Sequence, residues 1–95
     1  MKLIVSPAAL ADLERLHAFL ADKSPGAADR AVASLIAAIE SLDHFLERGR
    51  QVSTPNTREL IVPFGRSNYV VRYAYRIEAD EVVVIRIWHG REVRE

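Results

Sequence analysis

The chain has 95 residues, no cysteine and a formal net charge of zero. This length suffices for one compact domain and not for two, and the lack of cysteine excludes disulfides, thiol catalysis and zinc sites built on cysteine. The longest uncharged stretch of a predicted helix, residues 31–39, is far shorter than the ~20 residues that a membrane span needs, so we expect a soluble, cytoplasmic protein with no membrane partner.

A serine–proline pair begins each of two predicted helices, at Ser6-Pro7 and Ser24-Pro25. Serine caps the first turn of a helix well, and proline tolerates the missing N–H there. Apolar residues then recur three and four positions apart, as they do on one face of a helix. In the second helix these residues are Ala28, Val32, Leu35, Ile39, Leu42 and Leu46. The spacing predicts a helical hairpin over about residues 7–47, with the second helix running from Pro25 to the end of that range.

Four strands are predicted, one before the helices and three after them. Short runs of β-branched and aromatic residues between turn residues are typical of strands. These runs lie at residues 2–5, 58–64, 68–77 and 82–89. Residues 49–57 are rich in Gly, Pro, Asn, Ser and Thr and are predicted to form a loop. Pro63 places its part of the strand at a sheet edge or at the strand end, because proline cannot donate to a ladder.

The order of the elements, β-α-α-β-β-β, predicts an α+β fold. Three consecutive strands with short connections form an antiparallel meander. We expect the helical hairpin to pack on one face of this small antiparallel sheet, which the first strand also joins. A single domain over residues 1–95 is expected, with the meander at about 58–89 and a short C-terminal tail.

Arginine is concentrated in the predicted sheet although the whole chain is neutral. Residues 48–77 hold six arginines and one acid, a net charge of +5, whereas residues 1–47 carry −3 and residues 78–95 carry −2. A basic patch of this kind is typical of a surface for an anionic partner. It is also consistent with arginines that merely solvate a half-exposed sheet, and both interpretations stay open at this point.

Side chains alternate between the two faces of a strand, so the arginines can be assigned to a face. A consistent assignment places under the helices Val71, Tyr73, Tyr75, Val83, Ile85 and Ile87. On the opposite, open face it places Arg72, Arg76, Arg86 and Trp88. His89 then turns inward or lies at the end of its strand.

These features together resemble the RelE/ParE superfamily of toxins from type II toxin–antitoxin systems. The resemblance covers nearly the whole chain and is most specific in "REL" at 58–60, "YVVRYAY" at 69–75 and "VVVIRIWHGRE" at 82–92. It implies a toxin that a cognate antitoxin binds and neutralises in a hetero-oligomer. It also implies no cofactor and no direct contact of this chain with operator DNA, because the antitoxin brings the DNA-binding module.

The resemblance leaves the target open, because RelE-type members cut mRNA on the ribosome and ParE-type members poison DNA gyrase. For metal-independent RNA cleavage it implies two catalytic candidates, Arg72 and Arg91, and His89 is a third because histidine suits acid–base work near neutral pH. Against cleavage, residues 60–65 hold no ionisable side chain, where RNA-cutting members carry lysines or a carboxylate. No tyrosine follows Arg91 either. We therefore expect a ParE-type gyrase inhibitor that is not an enzyme; the alternatives are a ribosome-dependent mRNA endoribonuclease and a non-toxic relic that only binds its antitoxin.

The candidate target-binding residues are five arginines and a tryptophan: Arg58, Arg72, Arg76, Arg86, Trp88 and Arg91. Structural roles compete with this interpretation. Arg72 can pair with Glu59 or Glu78 across the sheet, and Trp88 can equally be a core residue. The three histidines have no metal-ligand spacing, so no metal site is expected.

Overall fold

The computed structural model describes residues 1–92, which form two α-helices and five strands. In chain order these are β1 (Lys2–Val5), α1 (Pro7–Ala21), α2 (Pro25–Ser41), β2 (Arg50–Gln51), β3 (Thr57–Phe64), β4 (Ser67–Arg76) and β5 (Glu81–His89). The four predicted strands are confirmed to within one residue at each end. Neither helix is long and apolar enough to cross a membrane.

Both predicted helix starts are confirmed by their caps. The Ser6 hydroxyl accepts a hydrogen bond from the Ala9 N–H at 3.1 Å, and the Ser24 hydroxyl accepts one from the Ala27 N–H at 3.2 Å. Each cap satisfies an N–H that the first helical turn leaves without a partner. The two serine–proline pairs therefore determine where each helix of the hairpin begins.

The second helix ends at Ser41, earlier than the predicted residue 47. The apolar spacing continues past this point because Leu42 is buried and Leu46 packs against the core. Tyr73 of the sheet holds the segment that follows the helix. Its hydroxyl donates to the Leu46 carbonyl at 2.7 Å and accepts from the Gly49 N–H at 2.8 Å. Core contacts therefore extend the periodic pattern beyond the helix.

The sheet has the strand order β1-β5-β4-β3-β2. The predicted meander is confirmed, because β3 and β5 each pair antiparallel with β4. The sheet is mixed rather than wholly antiparallel, since β1 pairs parallel with β5. The long connection between these two strands allows the parallel pairing. Residues 50–51 form β2 inside the predicted loop and pair with Glu59 and Arg58. Among residues 1–92, Pro63 therefore lies on an unpaired edge of the sheet, as predicted.

A β-bulge in β5 changes which residues face the helices. Arg72 lies opposite Arg86, but the next residue, Tyr73, lies opposite Val84, so Ile85 is an extra residue in β5. An extra residue reverses the alternation of side chains along the strand. Val82 and Val84 are consequently buried in the core, and the prediction that Val83 and Ile85 lie under the helices is wrong. Ile87, Val71 and Tyr73 are buried as predicted.

Helix α1 closes the edge of β5 where β1 ends. The last residue pair of the β1–β5 ladder is Val5 with Val84. Beyond it, the Ser6 hydroxyl donates to the Ile85 carbonyl at 3.0 Å, and the Ile87 N–H donates to Asp12 Oδ2 at 2.8 Å. Side chains of α1 therefore satisfy backbone groups that an open sheet edge would expose.

Candidate functional site

Two arginines and the tryptophan meet on the open face, the face of the sheet that points away from the helices. Arg72 and Arg86 are cross-strand neighbours. Their guanidinium carbons lie 4.7 and 5.2 Å from the centroid of the Trp88 ring, which are cation–π distances. Trp88 is only 4% exposed beneath them. The prediction that these three residues share the open face is confirmed.

Each of these arginines is paired with a buried carboxylate. Arg72 donates from Nε and Nη2 to Glu59 Oε2 at 3.0 and 2.7 Å. Arg86 donates from Nε to Asp12 Oδ2 at 2.8 Å and from Nη2 to Asp12 Oδ1 at 3.1 Å. Both carboxylate side chains are 5% exposed. We call this line of residues across the sheet, Glu59–Arg72–Arg86–Asp12, the ion-pair row.

Asp12 is a key residue of the row that the sequence does not single out as a site residue. It is buried on α1 together with Ala9 and Leu16, so it occupies the inner stripe of the helix at spacings of three and four. That position is the signal that could have identified it. Burial by itself would raise the pKa of Asp12, but hydrogen bonds from Arg86 and the Ile87 N–H outweigh it and hold the pKa below its usual range.

The two other candidate arginines of β3 and β4, Arg58 and Arg76, do not join the row. Arg58 is half-buried on the helix side and donates to the carbonyls of Glu47 and Gly49 at 3.3 and 2.7 Å. It therefore holds the segment before β2 against β3. Arg76 is exposed at the far end of β4, opposite Glu81. The predicted arginine set is thus split among a paired row, a loop clamp and a solvent-exposed strand end.

A groove on the helix side collects a second set of cations. It lies between the C-terminal half of α1, the β3–β4 turn and the end of β5, with a volume of about 820 Å³. Its apolar floor contains Leu16, Leu20, Phe64 and Tyr69. Its charged lining residues are Arg15, Lys23, Arg66, Arg91 and Glu92. We call this feature the α1 groove.

His89 and Arg91 belong to this groove and not to the open face. The His89 ring contacts Tyr69 edge to face, with 5.5 Å between ring centroids. Its Nδ1 accepts a hydrogen bond from the Arg91 N–H at 3.1 Å, so a neutral ring carries its proton on Nε2. Arg72 lies on the opposite side of the sheet. The structure therefore does not bring the three catalytic candidates together.

Comparison with known proteins identifies the family. The family described as "ParE toxin of type II toxin-antitoxin system, parDE" matches residues 3–94. Toxin RelE1 of Caulobacter vibrioides is 46% identical over 91 residues, covering 96% of this chain and 95% of the relative. Toxin RelE3 of the same organism is 40% identical over 90 residues and 95% of each chain.

Structural comparison agrees on the fold. A chain of the chromosomal ParDE TA system from P. aeruginosa superposes with a TM-score of 0.80, covering 94% of this chain and 95% of that chain. The sequence identity is 22%, so this similarity concerns the fold. With the family match over nearly the full length and the two relatives from Caulobacter, it follows that the chain belongs to the ParE toxin family of type II toxin–antitoxin systems, within the RelE/ParE superfamily.

Proposed function

We propose that this toxin stops growth by poisoning DNA gyrase, without cleaving RNA, and that its cognate antitoxin neutralises it in a hetero-oligomer. The observation that carries the proposal is the separation of the residues needed for cleavage. Arg72 is paired with Glu59 on the open face, whereas His89 and Arg91 line the α1 groove on the other side of the sheet.

RNA cleavage without a metal needs an acid, a base and cations around one phosphate. Those groups must lie within hydrogen-bond reach of the reacting atoms. Here the sheet lies between the Arg72 guanidinium and the His89 imidazole. Val71 faces the helices, so the next residue, Arg72, faces away from them; Trp88 faces away, so the next residue, His89, faces the helices. On β3, Leu60 and Val62 are buried in the core and Ile61 is 52% exposed. Residues 60–64 of β3 therefore supply no acid or base.

One observation favours the alternative, a ribosome-dependent mRNA endoribonuclease. The α1 groove places an imidazole beside cationic side chains, and the relatives from Caulobacter are named RelE. His89 Nε2, whose ring is half-buried, is the nitrogen that Arg91 does not engage. Histidine is a side chain that commonly serves as a general acid or base.

Expression of the toxin from a tightly controlled promoter distinguishes gyrase poisoning from mRNA cleavage. We expect filamentation with DNA-damage signalling, and we expect the purified protein to make gyrase accumulate cleaved DNA while leaving ribosome-bound mRNA intact. Rapid arrest of translation with cut messages would refute the proposal. It would support the endoribonuclease if His89→Ala abolishes the cuts and the matched control His44→Ala, at an exposed position outside the groove, does not. Normal growth would identify a non-toxic relic.

A further inference from the structure

Within residues 1–92, three of the four cations of the α1 groove lack the counter-charges that the ion-pair row has. Four of its lining side chains are cationic, Arg15, Lys23, Arg66 and Arg91, and one, Glu92, is acidic. Among residues 1–92, salt bridges join Arg15 to Asp12 and Glu92, whereas Lys23, Arg66 and Arg91 form none. A concave surface with a surplus of one sign of charge attracts the opposite charge.

The groove also presents aromatic surface beside these cations. Phe19 on the groove wall is 62% exposed, and the Lys23 ammonium lies 4.7 Å from its ring centroid. Phe64, which is half-buried, lines the same groove and covers Tyr69, whose ring centroid is 6.1 Å away and which is itself 2% exposed. Cationic walls that follow a phosphate backbone, together with aromatic rings for base stacking, are the combination that binds single-stranded nucleic acids.

Glu92 forms a salt bridge with Arg15, one of the groove cations. Its Oε1 accepts a hydrogen bond from Arg15 Nη1 at 2.8 Å, whereas Arg15 Nη2 is 3.4 Å from both Asp12 Oδ1 and the Ile87 carbonyl. The Glu92 N–H donates to the His89 carbonyl at 2.9 Å, which holds the residue in the turn after β5. The side chains of the pair are 45% and 33% exposed, and an ion pair that is this accessible to solvent is weak. An incoming phosphate can therefore displace the Glu92 carboxylate.

We propose that the α1 groove binds a single strand of DNA, with phosphates on its cations and a base against Phe19, and that Glu92 competes with the strand for Arg15. The choice of DNA rests on the proposed function, because a gyrase poison meets its target on DNA. Glu92 thus acts as a built-in counter-ion that lowers the affinity of the groove until a phosphate takes its place. An RNA strand and an acidic peptide are the competing occupants, and the experiment separates them.

Fluorescence anisotropy with a labelled 12-mer of dT, without gyrase, tests the groove. The double variant Lys23→Ala/Arg66→Ala should bind about tenfold more weakly, and the slope of log K against log salt should fall in magnitude by about 1.4, for two lost phosphate contacts on a single strand. The matched control is Lys2→Ala/Arg30→Ala, which removes the same two residue types at exposed positions outside the groove. Equal weakening in the control, or tenfold tighter binding of a U 12-mer, a DNA duplex or a glutamate-rich peptide, would overturn the inference.

The competitor role of Glu92 has its own measurement. Glu92→Gln should bind the dT 12-mer about three- to tenfold more tightly at low salt, because the phosphates no longer compete with the Glu92 carboxylate for Arg15. Glu14→Gln, an equal charge change at an exposed position of α1, should stay within the smaller change expected from net charge alone. An unchanged or weaker affinity of Glu92→Gln would refute the competition.

Gyrase assays on the same proteins keep the two proposals apart. A toxin that poisons gyrase but binds no dT 12-mer would refute the groove inference and leave the proposed function standing. A toxin that binds the strand through Lys23 and Arg66 yet has no effect on gyrase would refute the proposed function and leave strand binding standing. Thermal unfolding of each variant confirms that it is folded before its binding is compared.

Discussion

The open face and the α1 groove both hold basic side chains, but they differ in the counter-charges around them. On the open face, Arg72 and Arg86 each contact a carboxylate that is 5% exposed. In the groove, Lys23, Arg66 and Arg91 form no salt bridge among the residues that the structure describes. The basic side chains of residues 1–92 are therefore of two kinds, and the kind without a salt bridge is the one available to a partner.

The largest expected loss of stability is at Asp12, which belongs to the ion-pair row. Asp12→Ala should lower the free energy of unfolding by about 3 kcal/mol, because it removes the buried carboxylate that accepts from Arg86 and from the Ile87 N–H. Urea unfolding measures this loss. Asp29→Ala removes a carboxylate whose side chain is 79% exposed on α2 and should cost less than about 0.5 kcal/mol. Similar losses in the two variants would show that the row contributes nothing special.

A second pair of variants compares the two cation sets directly. Arg72→Gln should cost about 2 kcal/mol, because it removes a charged partner from the buried Glu59. Arg66→Gln, at an exposed position in the groove, should stay within about 0.5 kcal/mol. The same urea titrations give both values. If Arg66→Gln destabilises the fold as much as Arg72→Gln does, the distinction between paired and available cations fails.

The acid limb of the stability curve tests the state of Asp12. Because the pKa of Asp12 is lower in the folded than in the unfolded state, its carboxylate contributes stability above its unfolded pKa of about 3.9. That contribution is lost as the pH falls through the lower folded pKa. Unfolding followed from pH 6 to pH 2 should therefore show a steeper acid loss in the wild type than in Asp12→Asn. Parallel curves would contradict the assigned ionic state.

The smallest effect is expected from exchanging the type of cation. Arg86→Lys keeps the charge but loses the second donor to Asp12 and the planar contact with Trp88, which should cost about 1 kcal/mol. Arg91→Lys in the groove keeps its charge and should leave stability unchanged. Melting temperatures suffice for this comparison. An Arg86→Lys protein as stable as the wild type would show that charge alone, without the geometry of the guanidinium, maintains the row.

Much of the fold could be predicted from local patterns. The Ser6 and Ser24 caps, the strand meander and the shared face of Arg72, Arg86 and Trp88 all follow from short-range spacing, which the structure preserves. The inward position of Val82 and Val84 could not be predicted, because one extra residue at the bulge reverses the alternation and no glycine or proline marks it.

The candidate site was predictable only in part. Arg91 and His89 were identified, but Arg15, Lys23 and Arg66 were not, because the groove is assembled from α1, the β3–β4 turn and the end of β5. Because these segments lie far apart in the sequence, no periodic pattern of residues can indicate that they form one groove. Asp12 was obscured for a similar reason, since its partners Arg86 and Ile87 lie more than 70 residues away.

The parallel pairing of β1 with β5 has a consequence for biosynthesis. Lys2 is paired with Glu81 and Val5 with Val84, so the first of the five strands to be synthesised pairs with the last. Contacts between such distant parts of a chain slow folding, because a long loop must close before they form. A nascent chain therefore cannot complete the β1–β5 ladder until β5 has been synthesised.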